Sequence, residues 1–191
     1  MNTPAHMIMA CLYVRRDTPK LLGVALLGGL APDLSLYLMV FWARLINGFS
    51  FQTIFDEKYF SDEWQSVFSV DNSFLVWGVI LLLGFLLARN WLKILAAGAL
   101  THLVFDILLH HDDGRAHFWP VSDWVFESPV SYWDPRHYGH IVGPIEIALV
   151  AVMVFILWRR FAPNLWVYVI AALGLLQIIP GIMFSLMFSG P

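Results

Sequence analysis

Residues 91–111 read WLKILAAGALTHLVFDILLHH, an apolar run interrupted only by Lys93, Asp106 and three histidines. A helix needs roughly 20 residues to cross the hydrocarbon core of a bilayer, and this window has that length. His102, Asp106 and His110 recur every four positions, which sets them along one face of the helix. The opposite side is read as Leu100, Val104 and Leu108 with the small residues Ala96, Ala97, Gly98 and Ala99, which suit close helix packing. A membrane helix with a polar stripe must turn that stripe inward, so the window predicts a bundle of such helices.

The rest of the chain agrees. Of 191 residues, 59% are hydrophobic and 13% charged, and the mean hydropathy of +0.70 lies outside the range of ordinary soluble domains. Further membrane-length windows cover about 21–46, 73–88, 141–158 and 165–188. The opening MNTPAHMIMACLYV is shorter, and its positive charge follows the apolar stretch, unlike a cleavable signal. It reads as a retained short helix capped by Thr3 with Pro4 in its first turn. In 51–68, Phe51, Phe55, Tyr59, Trp64 and Phe68 recur every four or five positions between acids, the pattern of an amphipathic interfacial helix that is either an anchor or a lid. Pro120, Pro129 and Pro135 make 112–140 irregular. The expectation is one all-α domain over 1–191, a polytopic transmembrane helical bundle of about five spans with a short N-terminal helix and an interfacial amphipathic helix. The single Cys11 excludes an internal disulfide and reads as a small buried hydrophobe.

Orientation follows from the loops. Arg15, Arg16, Lys20, Arg89, Lys93, Arg159 and Arg160 share one side, while the other holds Arg44, Lys58, Arg115 and Arg136 among many carboxylates. The cation-rich side is cytoplasmic by the positive-inside rule, so loops 47–72 and 112–140 face outward.

Within the predicted spans the carboxylates are Asp33, Asp106 and Glu146. Each lies thirteen positions from a cytoplasmic-side cation (Lys20, Lys93 and Arg159), which is roughly 20 Å of helix. His102 and His6 lie nine positions from Lys93 and Arg15, roughly 14 Å. Polar groups from four segments thus arrive at similar depth. Histidine and carboxylate at i, i+4 can bind one divalent ion together. Plainer readings stay open: Asp33 after Pro32 caps a half-helix where the proline breaks the span, His102 and Asp106 pair as interhelical glue, His110 and His111 favour a helix C-terminus, Asp112 and Asp113 are solvated, and Glu146 after Pro144 is a first-turn acid.

The stretches PAH (4–6), GGLAPDLS (28–35), LTHLVFD (100–106) and FWPVS (118–122) resemble bacterial inner-membrane metal-dependent hydrolases, a family distantly similar to zinc-dependent phospholipase C. The likeness covers the chain through about residue 150. It implies that His6, Asp33, His102 and Asp106 occupy the family's metal positions. Where that family carries a His-Arg-Gly-x-Thr-His-Ser signature this chain reads VDNSFLVW (70–77), so that Asp71, Asn72 and Ser73 would offer oxygen ligands instead. The Asp-Asn-Ser and His-His-Asp-Asp pattern is also similar to sequences labelled as cobalamin biosynthesis proteins, though no nucleotide loop or glutaminase motif accompanies it.

The functional expectation is a metal-dependent hydrolase at the outer face of the bacterial inner membrane, acting on an amphiphilic, lipid-like phosphoester. Its ligands are His6, Asp33, His102, Asp106 and His110, around zinc first and manganese or magnesium as alternatives. Asp106 or Glu146 would orient water or act as base, and Arg115 would fork onto a phosphate. Against it stand a transporter, which the almost wholly apolar cytoplasmic halves disfavour, and a scaffold with a structural polar cluster. No nucleic-acid partner is expected, since a net charge of −3 and scattered cations disfavour one.

Overall fold

The computed structural model describes residues 1–179; its regular structure is helical, with no strand among them, and 110–134 form an irregular loop. Its α-helices are α1 (Thr3–Ala10), α2 (Leu22–Leu45), α3 (Phe51–Thr53), α4 (Asp62–Asp71), α5 (Phe74–Leu86), α6 (Asn90–Leu109), α7 (Gly139–Phe161) and α8 (Leu165–Leu176). Four stretches are long and apolar enough to cross a membrane: Pro19–Leu45, Asp62–Leu86, Asn90–Leu109 and Gly139–Phe161. The second differs from the expected 73–88. At 13 residues, α5 is only about 20 Å long, and α4 precedes it across a joint at Asn72 and Ser73. Of the expected fifth span, the described part is the 12-residue α8; 180–188 lie outside the described residues.

The organising element is the shortest of the apolar helices. α1 packs against α2, α6, α7 and α8 at once. Its Ala5, Ile8 and Ala10 are fully buried, and they share a core with Leu22, Ala25, Val150, Leu157 and Ile170. Eight residues rise only about 12 Å, so α1 is a plug inside the bundle rather than a span.

Missing side chains make this possible. A Cβ on Gly29 would lie 2.5 Å from the His6 carbonyl oxygen, and one on Gly98 would lie 3.0 Å from Ala10 Cβ. Gly28 backs onto Leu95 in the same way. The three glycines let α1, α2 and α6 cross at near-backbone contact. Gly98 stands four residues before His102, so it belongs to the polar face of α6 and not to the opposite one; Val104 and Leu108 do point outward, 44% and 52% exposed.

Two further expectations change. α2 runs through Pro32 without a break, because one lost backbone bond is absorbed when the flanking turns are held by neighbouring helices. The aromatic stripe of 51–68 is not one helix: α3 passes into a π-helical turn at Ile54–Lys58, and α4 follows after Ser61. Its Ile54, Tyr59, Trp64 and Phe68 are buried in a cluster with Ala43, against Leu36, Met39 and Val40 of α2. Phe51 and Phe55 alone of the stripe remain exposed. Protein, rather than lipid, takes most of this face.

Candidate functional site

The site begins with the glycines. Because Gly29 admits the α1 backbone, His6 slides over His102 of α6, and their rings stack with centroids 3.6 Å apart and planes 11° from parallel. Asp106, one turn further along α6, then faces both. His6 Nε2 lies 3.0 Å from Asp106 Oδ1, and His102 Nε2 lies 3.0 Å from Asp106 Oδ2. These three side chains are buried, and together each offers one ligand atom within 4.8 Å of the others. Asp33 of α2 brings Oδ1 to 3.7 Å from His102 Nε2, and His110, at the C-cap of α6, brings Nε2 to 3.4 Å from Asp106 Oδ1.

The proton inventory of this cluster is unusual. His102 Nδ1 sits 2.7 Å from the Gly29 carbonyl, which fixes the Nδ1–H there as donor. A neutral ring then aims its Nε2 lone pair at Asp106, 3.0 Å away, and two acceptors face one another. A positive charge between them, proton or metal ion, removes that repulsion. Asp106 Oδ1 makes no hydrogen bond although it is buried, even with His6 Nε2 at 3.0 Å, His110 Nε2 at 3.4 Å and Met1 N at 3.6 Å. The nearest nitrogens converge on it without the alignment of donor and acceptor.

These spacings suit a metal. Bonds of about 2.0–2.1 Å in tetrahedral geometry place ligand atoms roughly 3.3 Å apart. His102 also has the outer hydrogen bond to a carbonyl that orients ligating histidines. His6 lacks that feature: its Nδ1 has no partner, and its Nε2 additionally meets the Met1 carbonyl at 3.1 Å.

No family model matches the chain, and no curated protein or solved structure does either.

Arg115 comes from the loop between α6 and α7 and is buried at 7% exposure without a carboxylate partner among the described residues. Its guanidinium rests on the Phe68 ring at 4.6 Å and the Tyr59 ring at 5.7 Å, and Nη2 donates to Tyr59 Oη at 3.4 Å. Burial works against its charge, but Tyr59, Asp33 and Asp106 outweigh that and raise its pKa further. Nη1 has no partner at all. A desolvated cation with an open donor edge is suited to receive an anion. Tyr59 itself is pushed up by burial, so its hydroxyl stays protonated.

Glu146 is not part of the cluster. Its Oε1 accepts from Asn2 N at 2.9 Å, from Asn2 Nδ2 at 3.2 Å and from Gln177 Nε2. It lies well inside α7 rather than in a first turn, and it ties the start of α1 to α7 and to the segment after α8.

Other groups fall where spacing could not place them. Thr3 is the first residue of α1, not its cap; Asn2 holds the cap position, with its side chain turned to Glu146 rather than capping the helix. The Thr3 hydroxyl instead donates to Asp33 Oδ2 and meets Tyr37 Oη at 2.7 Å. Asp113, read above as a solvated loop acid, instead has Oδ2 2.9 Å from His110 Nδ1 and accepts from Trp133 Nε1 at 3.1 Å. Asn72 and Ser73 build the α4–α5 joint: Asn72 Nδ2 donates to the Pro32 carbonyl at 3.0 Å, the Ser73 hydroxyl donates to the Trp119 carbonyl, and His117 Nδ1 donates to the Asn72 carbonyl at 3.0 Å. The bonds of Asp71, Asn72 and Ser73 are made at that joint, although the buried Asn72 Oδ1 accepts from no described residue; the histidine cluster itself is His6, His102 and Asp106.

Proposed function

We propose that this chain is a membrane-embedded metal-dependent hydrolase that acts on a lipid-like phosphoester at the outer face of the bacterial inner membrane. The observation that carries the reading is the buried convergence of His6, His102 and Asp106 from two helices, with Asp106 Oδ1 unpartnered among three nitrogens. The donor set of two imidazoles and a carboxylate favours zinc, with manganese or magnesium as alternatives. Such an ion supplies Lewis-acid polarisation of a phosphoryl oxygen and acidifies a water.

The chain's own residues do the rest. His6, His102 and Asp106 would hold the ion, and Asp33 and His110 stand beside them to complete the set. Gly29 fixes the His102 tautomer through its carbonyl. Arg115 offers Nη1 to a phosphate oxygen from its seat on the Tyr59 and Phe68 rings. Helices with largely lipid-exposed apolar faces surround this site, so an amphiphilic substrate reaches it without leaving the bilayer. Glu146, engaged by Asn2 and Gln177, serves the architecture rather than proton transfer.

One alternative has its own support: a proton shared between His102 and Asp106 satisfies the same short contact without an ion. The discriminating experiment is turnover of short-chain phospholipids by detergent-purified protein, with zinc or manganese added, with chelator, and in His102→Ala. Metal-dependent release of a phosphorylated product, abolished by chelator and by the substitution, supports the hydrolase. Absence of turnover with every metal across a panel of phosphodiester and phosphomonoester lipids contradicts it.

A further inference from the structure

At the other end of the bundle from the outer loops lies a recess of about 630 Å³, lined by Leu12, Tyr13, Val14, Arg15, Arg16, Asp17 and Arg160. We propose that it binds the phosphate head group of an anionic lipid. This inference is independent of the hydrolase reading.

Place comes first. Two membrane-length stretches, Pro19–Leu45 and Gly139–Phe161, terminate beside the recess. Tyr13, Trp158 and Trp166 are partly exposed at the same end, 48%, 38% and 36%. Half-exposed aromatic rings at the tips of apolar helices mark the head-group layer. The recess therefore opens where lipid phosphates are.

Charge comes second. Asp17 is taken by Arg15, whose Nε and Nη2 lie 3.2 and 3.1 Å from its two oxygens. Arg16 makes no hydrogen bond or ion pair with any described residue. Arg160 is positioned by its own Nη1, which donates to the carbonyls of Leu12 at 3.0 Å and Val14 at 3.3 Å. Those two bonds fix the plane of the guanidinium and leave Nε and Nη2 without a protein acceptor. A held fork on one wall and a free guanidinium on the other match the oxygens of a phosphodiester. Basic pockets between membrane helices on the cytoplasmic side recognise anionic head groups in this way.

The test is native mass spectrometry of the detergent-purified chain after exposure to equal phosphatidylglycerol and phosphatidylcholine, repeated with millimolar inorganic phosphate. Wild type should retain the anionic lipid preferentially, and Arg16→Gln should cut that retention about fivefold, the share expected per basic residue. Arg16 has no structural partner, so its thermal unfolding midpoint should not move. Arg160→Gln should lose at least as much binding, although it also frees two carbonyls. Equal retention of both lipids by wild type, or an Arg16→Gln variant indistinguishable from it, overturns the proposal. Full displacement by inorganic phosphate, with no preference for the lipid, assigns the recess to a soluble anion and overturns the lipid assignment.

Discussion

Arg115 concentrates the chemistry of the site in one side chain. A guanidinium buried on aromatic rings, with Nη1 unpartnered, costs stability unless an anion or a function retains it. Arg115→Lys keeps the charge but loses the planar fork. Its expected effect is a KM for lipid phosphoester raised by about tenfold or more, with metal content unchanged; an unaltered KM would remove Arg115 from substrate binding. His117 makes the opposite case, a histidine that must stay neutral. It is buried at 3% exposure with Nδ1–H on the Asn72 carbonyl, and burial lowers its pKa below 6.5. Below pH 6.5 the unfolded chain therefore takes up a proton that the folded chain refuses, and stability falls as pH is lowered until the folded value is passed. The slope is at most about 1.4 kcal/mol per pH unit. Thermal unfolding between pH 7.5 and 5 should show a steeper loss in wild type than in His117→Gln; parallel curves would show that His117 does not couple to folding.

Helices meet where glycine lets them, and that is the element-scale cause of the site. Gly29→Ala would push a methyl to within 2.5 Å of the His6 carbonyl, separating α1 from α2 at a cost of roughly 1–3 kcal/mol and pulling His6 away from Asp106. Gly78 has nothing within 4 Å of its would-be Cβ, so Gly78→Ala should be neutral or stabilise α5 by about 0.5–1 kcal/mol. Unfolding midpoints and bound metal measured on both variants check the contrast; equal behaviour would mean that the crossing is not close. Glu146 acts at the same scale. Glu146→Ala strips Asn2 and Gln177 of their shared acceptor and should destabilise by about 1–3 kcal/mol. Turnover per bound metal should stay within a few-fold of wild type, whereas a loss of a hundredfold or more would restore Glu146 as an acid or base.

The long apolar helices were legible because membrane burial is written as continuous hydropathy, a one-dimensional signal. So were His6, Asp33, His102 and Asp106 as neighbours in height, because residue counting along a helix measures depth. Counting says nothing about azimuth. Glu146 shares the depth of Asp106 and yet faces Asn2, 144 residues away in the chain. The central position of α1 was likewise hidden, since burial by four neighbours leaves no mark in an eight-residue segment beyond small and apolar side chains. Pro32 reads as a break in isolation, and the bundle carries α2 through it. The VDNS segment reads as a ligand set by position, but the bonds it makes join α4, α5 and the loop before α7, through Asn72 Nδ2, the Asn72 carbonyl and the Ser73 hydroxyl.

At the scale of the whole molecule, a bundle closed around a short central helix brings polar groups from α1, α2 and α6 into one buried cluster, with Arg115 supplied by the loop between α6 and α7. The central claim is that this cluster holds a divalent ion rather than a shared proton. The most direct measurement is the metal content of the detergent-purified protein by elemental analysis, wild type beside His102→Ala and Asp106→Ala, with folding followed by circular dichroism. The account predicts close to one ion per chain in wild type and loss in both variants with helicity retained. A wild type that stays metal-free after zinc or manganese is added would contradict it and leave a proton-bridged structural cluster.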